Sequence, residues 1–454
     1  MKSLKDSLMR IDLPSPKSFK ELFNKKINKK VEIEIEGISI DSRNIKKNDL
    51  YVAIKGDRVD GNNYIKEAFK SGASAAIVNE IYDKNLGTQY FTKNSMNLIS
   101  EISSSWRDQF NIPIIGITGS NGKTSTKELL KHILSAKFDM HATEENYNTS
   151  ISLPLTLLQL SKYHGSSIIE MGANQPGDIQ RLCNITNPTH GLITNIAPAH
   201  LEGFKNIETI ASTKSALFKS LSNGVSFVNA ADKRISEIKI EGKKITYGLS
   251  SNCDYPADLH YDQSGKLALT IDAHEVKLNS SNLSFAKNVI ACCAVSRELG
   301  VEWDAIEDRI LTFSPPKGRC EVKNNGNFTI IDDTYNANLD STLAAIDYLN
   351  AFTGNGNHIF ILGDMLELGN SSADQHQKIA KKCDESNLYA VFTYGKETLS
   401  TYSNIKKTNI NEHFENKDKL IYAVKEIVKN KDKILVKGSR GMRMETIVKE
   451  LMNF

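Results

Sequence analysis

Residues 111–134 read NIPIIGITGSNGKTSTKELLKHIL, and this stretch decides the fold. The apolar run 112–117 predicts a buried strand, and Leu129, Leu130, Ile133 and Leu134 mark one face of a helix. Between them lies the turn Thr118-Gly119-Ser120-Asn121-Gly122-Lys123-Thr124. Strand, glycine turn and helix N-terminus together make an anion site, because unpaired backbone N–H groups and the positive helix end face one spot. Lys123 adds a mobile positive charge for outer phosphates, and Thr124 offers a hydroxyl to a phosphate-bound Mg²⁺. The strict pattern G-x-x-x-x-G-K-[ST] is not met, since Ile117 stands where its first glycine belongs. Two glycines, a lysine and a threonine in this setting still predict ATP binding rather than a plain strand–helix turn.

Working outward, the 454 residues are enough for about three domains. Apolar content of 40% and charged content of 24% describe an ordinary folded chain. A formal net charge of +3 gives no argument for nucleic acid or membrane surfaces. Cysteines 183, 253, 292, 293, 320 and 383 form no C-x-x-C pair and no metal-ligand spacing, so they read as buried thiols in a reducing compartment. The opening MKSLKDSLMR has no apolar core, and no apolar run reaches 18 residues, so a cytoplasmic protein is expected.

Residues 1–93 carry an α/β pattern of their own. Alternation over 31–35 predicts a half-exposed strand, with further strands at 49–54 and 73–78 and a helix at 64–71. Two polar turns lie between, Asp41-Ser42-Arg43 and Lys55-Gly56-Asp57-Arg58-Val59-Asp60-Gly61. Arg43 beside a serine hydroxyl suits a phosphate or carboxylate, although a plain surface turn has the same composition. The polar helix expected over 94–110, with Ile99, Ile102 and Trp106 on one side, reads as the linker into the ATP domain.

Beyond the phosphate loop, strands alternate with polar helical segments, the pattern of a parallel sheet whose ligands gather at the strands' carboxyl ends. One strand ends in Glu170-Met171-Gly172-Ala173-Asn174, which puts a carboxylate where it can hold Mg²⁺. Another, 192–196, runs into a loop with His200 and Glu202; a loop histidine is a ligand or a solvent-facing residue. In the helix expected over 206–221, Lys214 falls inside the apolar stripe Ile207, Ile210, Ala211, Leu217, Phe218 and Leu221. It is either a snorkelling lysine or a desolvated amine of lowered pKa. A helix expected over 286–299 begins near Asn288, a candidate helix cap or nucleobase reader.

Pro315-Pro316-Lys317-Gly318-Arg319 breaks the chain again. Three strands then run into polar loops: Asp332-Asp333-Thr334-Tyr335-Asn336-Ala337-Asn338, Gly363-Asp364-Met365-Leu366-Glu367-Leu368-Gly369, and Lys437-Gly438-Ser439-Arg440-Gly441-Met442-Arg443. That predicts a Rossmann-like sheet with ligand loops on one edge. Asp332 and Asp333 suit ribose hydroxyls or a Mg²⁺ shell, or form a capping turn.

Taken together, Asp41-Ser42-Arg43 with Asp60-Gly61, TGSNGKTSTK, EMGAN, NIAPAHLEGF, DDTYNAN, LGDMLELG and VKGSRGMRME resemble the Mur ligases over nearly the whole length. The resemblance implies a three-domain α/β enzyme that adds D-alanyl-D-alanine to UDP-N-acetylmuramoyl-tripeptide through an acyl phosphate, in peptidoglycan precursor synthesis. It implies ATP and two Mg²⁺ as cofactors, no nucleic-acid or membrane partner, and a monomer. Position by position, it assigns the nucleotide to Gly119, Ser120, Asn121, Gly122, Lys123, Thr124, Asn288, Arg319 and Asp333. Thr124, Glu170 and His200 become metal ligands, joined by Lys214 as a carbamate, so Lys123, Glu170, His200 and Lys214 form the catalytic set. Ser42, Arg43, Asn148, Asn336 and Arg440 fall near the peptide substrates. The pattern departs at Asn62-Asn63, where the family has a histidine after the glycine, at Ser284-Phe285-Ala286-Lys287-Asn288, which keeps only the last asparagine, and within Asn146 to Pro154, at Thr149.

The expected division is therefore 1–93 for the UDP-sugar-peptide, 94–314 for ATP, and 315–454 for nucleotide and incoming D-Ala-D-Ala. The nearest alternative is a sister amide ligase, another Mur step or a folylpolyglutamate synthase. A regulatory P-loop switch or transport ATPase is a different class, and the third domain's own ligand loops argue against it.

Overall fold

Three sheets follow one another along the chain in the computed structural model, which describes residues 9–56, 59–81, 83, 85–262 and 266–454. Residues 1–8 of the opening segment, and Asp57 and Arg58 of the second polar turn, lie outside the described residues. The architecture is α/β throughout, in three domains.

The first sheet has the order Arg10–Asp12, Gly37–Ser39, Asp49–Val52, Ala73–Val78 and Thr88–Phe91, parallel except for the first strand. The strand expected over 31–35 does not form. Val31 and Ile35 are buried and Glu32 and Glu34 exposed, as alternation requires, but the segment has no neighbouring ladder. Period-two burial reports which side chains face inward and leaves open whether a partner strand lies alongside. The edge strand Arg10–Asp12, the helix Pro16–Ile27 and the strand Thr88–Phe91 were not expected. The edge strand is held by Arg10, whose Nε and Nη2 donate to both oxygens of the buried Asp49 at 2.7 and 2.8 Å.

The central sheet runs His274–Lys277, Leu267–Ile271, Tyr255–Tyr261, Lys243–Gly248, Val225–Asn229, His190–Ile193, Ile114–Thr118, Ser166–Glu170, Met140–Ala142. The seven strands from Tyr255–Tyr261 to Met140–Ala142 pair parallel; Leu267–Ile271 pairs antiparallel with both its neighbours, an extension the parallel expectation lacked. Ile114–Thr118 is flanked on both sides by parallel strands, so its residues face buried layers and read as an unbroken apolar run. The third sheet, Glu321–Asn324, Thr329–Asp333, Lys433–Lys437, His358–Gly363, Ala390–Tyr394, Ile410–Phe414, is parallel but for its first edge strand.

Two expectations about individual residues need correction. Asn288 does not start its helix, which spans Leu283–Glu298 and is capped by Asn282, whose side chain accepts from the N–H groups of Ser284 and Phe285. Cys253 and Cys320 are half-buried, although all six cysteines are free. Among the described residues, no helix is long and apolar enough to cross a membrane.

The helix Ser95–Arg107 is more than a linker. Ile99, Ile102 and Trp106 join a core shared by Phe19 and Phe23 of the first domain and Leu153, Leu157 and Ile179 of the second. The Trp106 Nε1 donates to the Leu160 carbonyl at 3.1 Å, and the buried Arg107 Nε donates to the Thr186 carbonyl at 2.8 Å. Removing the guanidinium strands a buried carbonyl, at a cost of about 1–3 kcal/mol. Arg107→Ala is therefore expected to lower the thermal unfolding midpoint by several degrees in a circular-dichroism scan while leaving ADP affinity unchanged. A midpoint equal to the parent's contradicts this role.

Candidate active site

The phosphate loop is sewn to the loop that follows the neighbouring strand. Ser120 N donates to the Asn195 carbonyl at 3.0 Å, Asn121 N to Asn195 Oδ1 at 2.8 Å, and Ser120 Oγ to the Ala197 carbonyl at 2.7 Å. Thr194 Oγ1 closes the seam on the Asn121 carbonyl at 2.6 Å. Gly119 is required by space, since a Cβ there would stand 1.9 Å from Thr194 Oγ1. Gly122 is required by its backbone, with φ of 79° at the start of the helix Lys123–Leu134. Being a glycine, it offers no side-chain cap, so the first-turn N–H groups stay available to an anion. Asn288 lies against this turn: a Cβ on Gly122 would come 3.2 Å from its Oδ1.

Two amines converge on one carbonyl. Lys123 Nζ donates to Gly119 O at 2.7 Å and to Ser120 O at 3.3 Å, and Lys214 Nζ donates to the same Gly119 O at 3.0 Å. Burial lowers the Lys123 pKa, Glu170 partly restores it, and the charge of Arg319 lowers it again. Lys214, 3% exposed, is held well below the ordinary lysine range by burial first and by Lys123 second. It does not snorkel.

Glu170, 1% exposed, ends its strand beside this loop. Its Oε1 accepts from Asn148 Nδ2 at 2.7 Å, while Oε2 is buried with no hydrogen-bond partner. Gly172 makes room for Asn148, whose Oδ1 would lie 2.7 Å from a Cβ there. An orphaned carboxylate oxygen next to a phosphate loop and Thr124 is a hard-donor arrangement that fits Mg²⁺ shared with a nucleotide. The other expected ligands are differently engaged. His200, in the left-handed region at φ of 51°, lies with Nδ1 2.5 Å from Glu367 Oε2 of the third domain. That contact pulls the Glu367 carboxyl down to about 2. Among the described residues, no three His, Cys, Asp or Glu side chains cluster as a ready-made metal cage.

The third domain meets the loop directly. Asn121 Nδ2 donates to Asp340 Oδ2 at 3.0 Å, and Asn338 Nδ2 donates to Asn121 Oδ1 at 2.7 Å. Arg319 lies 3.9 Å over the Tyr335 ring. The two aspartates divide: Asp332 is taken up by Lys323 and Thr334, whereas Asp333 accepts from Lys437 Nζ at 2.5 Å and from Cys320 N at 3.1 Å. Lys437 also reaches the carbonyl of the exposed Asn336 at 3.0 Å. Arg440 pairs with Glu445 at 2.8 Å. Ser42 and Arg43 stay within the first domain, Ser42 on Glu67 and Arg43 gripping Asp41 with Nε and Nη2. Asn62 is absorbed by Asp60 and by the Asn79 N–H.

Sequence reasoning missed Lys127, Glu367, Lys437, Asn338 and Asp340. Lys127 carried a signal, since it stands three and seven residues before Leu130 and Leu134 on the same helical face. Glu367, Asn338 and Asp340 act across domains and Lys437 acts across the third domain's own sheet, so no local pattern marks them.

Fold and site define a phosphate-loop α/β protein of the nucleotide-binding kind, with the phosphate loop in one domain and a second ligand-loop domain facing it. Residues 117–296 match the Mur ligase middle domain, 318–440 the Mur ligase glutamate ligase domain, and 34–132 the Mur ligase family catalytic domain. The chain is 33% identical over 432 residues to the UDP-N-acetylmuramoyl-tripeptide--D-alanyl-D-alanine ligase of Buchnera aphidicola subsp. Baizongia pistaciae, covering 92% of this chain and 93% of that one. MurF from Acinetobacter baumannii superposes with a TM-score of 0.88 at 26% identity, over 98% of this chain and all of that one. MurF ligase from Thermotoga maritima in complex with ADP gives 0.83 at 28%, over 92% and 97%. The chain belongs to the Mur ligase family.

Lys123→Ala is expected to keep the fold and lose turnover by about 10²–10³-fold or more, as a charge that serves the phosphates would require. Near-parental turnover of a folded variant contradicts this, and so does loss of the circular-dichroism signature.

Proposed function

We propose that the chain joins D-alanyl-D-alanine to UDP-N-acetylmuramoyl-tripeptide at the expense of ATP, a step of peptidoglycan precursor synthesis in the cytoplasm. The reading is carried by the docking of the phosphate loop on the third domain through Asn121, Asn338 and Asp340, which brings acceptor-side loops to the nucleotide's phosphates. The identity of the two substrates rests on the relatives. The domain division 1–93, 94–314 and 315–454 accords with it, the first unit holding the UDP-sugar-peptide through Ser42 and Arg43.

The terminal carboxylate of the tripeptide attacks the γ-phosphorus; a new carboxyl O–P bond forms, the bridging P–O bond breaks, and ADP leaves. The dipeptide amine then attacks the acyl carbon, and the tetrahedral intermediate expels phosphate as the nitrogen loses a proton. Gly119 to Thr124 cradle the phosphates, Lys123 follows the transferred charge, and Arg319 and Asp333 hold the nucleotide from the third domain, with Asn288 beside the loop. Asn148, Asn336 and Arg440 orient the peptide partners. Mg²⁺ supplies charge neutralisation between carboxylate and γ-phosphate, held by Thr124 and Glu170 and, once released from Glu367, by His200. Lys214 contributes as a carbamate: its neutral, buried amine attacks CO₂, the new N–C bond forms, and a proton departs to leave an anionic ligand. The low pKa imposed by burial supports this, since only the free amine reacts.

The assay is ADP release and product mass with UDP-N-acetylmuramoyl-tripeptide and a panel of amines. ADP is expected in step with one new amide, with D-Ala-D-Ala far ahead of single amino acids. Efficient use of L-glutamate with a folate, or hydrolysis without an amide, overturns the reading. For Lys214, the alanine variant is expected to lose about 10²-fold or more in rate with little loss of stability, because a buried amine is removed. Acetate or formate at constant ionic strength is expected to restore part of the rate by entering the vacated space. A fully active variant rules out the carbamate.

A further inference from the structure

Lys127 is among the largest fully buried side chains in the chain, on the phosphate helix one turn after Lys123, and none of the chemistry above uses it. Its Nζ donates to the Thr143 carbonyl at 2.5 Å and to the Glu145 carbonyl at 3.3 Å, and meets Glu128 Oε1 at 2.9 Å. It stands 3.9 Å from Glu170 Oε2, the oxygen that has no hydrogen-bond partner. At that distance the ammonium attracts the carboxylate without occupying its lone pairs, and the carbonyls of Thr143 and Glu145 hold it there. Both side chains are shielded from solvent, so salt and water screen the interaction weakly.

We propose that Lys127 is a positioning residue that makes divalent-metal binding at Glu170 conditional on the nucleotide. A divalent ion approaching Oε2 meets a fixed positive charge 3.9 Å from its ligand atom. The carboxylate alone is too weak a site, and the ion is held only when the nucleotide's phosphates add their negative charge on the other side. The metal accordingly arrives with the nucleotide and leaves with ADP, and no ion sits on Glu170 in the empty enzyme. This rests on the assignment of Glu170 as a metal ligand, and its test separates the two.

The experiment uses the full chain and Mn²⁺, following free ion by electron paramagnetic resonance with and without ADP, at about pH 8, where carboxylates are ionised. The parent is expected to bind Mn²⁺ weakly alone and tightly with ADP. Lys127→Met is expected to tighten nucleotide-free binding by about tenfold or more, so that the ADP dependence collapses. Lys127→Gln, which keeps a donor for the Thr143 carbonyl but no charge, is expected to do the same. If both variants bind bare Mn²⁺ as the parent does, or more weakly, the inference is overturned. It is also overturned if Gln behaves as the parent while Met does not, or if neither variant folds, since Lys127 is then only a tie between segments. Glu170→Gln runs in parallel. If that variant retains the parent's ADP-dependent Mn²⁺ affinity, the assignment of Glu170 fails, whatever Lys127 does.

Discussion

The structure depends on an unfinished electrostatic arrangement around the Gly119 carbonyl. Lys123 and Lys214 share that one acceptor, Arg319 bears on Lys123, and Lys127 lies behind Glu170, the only buried carboxylate among them. Two amines on one buried carbonyl cannot both carry charge at ordinary cost, and burial resolves the conflict by depressing Lys214 most. The helix N-terminus adds more positive potential and has no side-chain cap. The uncapped turn and the bent-back Lys123 are what an anion such as phosphate would complete, and the orphaned Glu170 oxygen is what a cation would complete.

The phosphate loop is tied to the third domain by short polar contacts. Asn121 belongs to the phosphate loop, yet its side chain is spent on Asn338 and Asp340, at the start of the helix Leu339–Asn350. His200 and Glu367 make a second tie, both in left-handed backbone conformations that aim their side chains across the boundary. Contacts of this kind cost little to break, in contrast to the apolar core that joins the first two domains through the helix Ser95–Arg107. The first two domains are packed as one body, and the third is attached by contacts that a ligand can replace. An enzyme that must admit a nucleotide and two further substrates, and exclude water, needs that difference.

Much of this was legible in the residues alone. The order strand, glycine turn, helix at 111–134, the strand end at Glu170, and the apolar stripe around Lys214 each follow from local periodicity and turn chemistry, whereas Asp332 and Asp333, expected in a loop, belong to the strand Thr329–Asp333. The strand at 31–35 was misread because alternation measures burial and not pairing, and Asn288 was misplaced because the true cap, Asn282, lies six residues earlier. Of two adjacent aspartates, no local pattern tells which is neutralised by Lys323 and which waits on Lys437.

The sequence by itself determined the class of fold and the phosphate-binding chemistry, because both rest on short-range rules: helical and strand periods, the backbone freedom of glycine, the charge of a lysine after it. Only the tertiary structure decided which charges face one another. Lys127 behind Glu170, Lys214 on Gly119, Glu367 on His200 and Asn338 on Asn121 are pairs separated by tens to hundreds of residues. Their energies depend on distance and on exclusion of water, and neither quantity exists until the chain has folded.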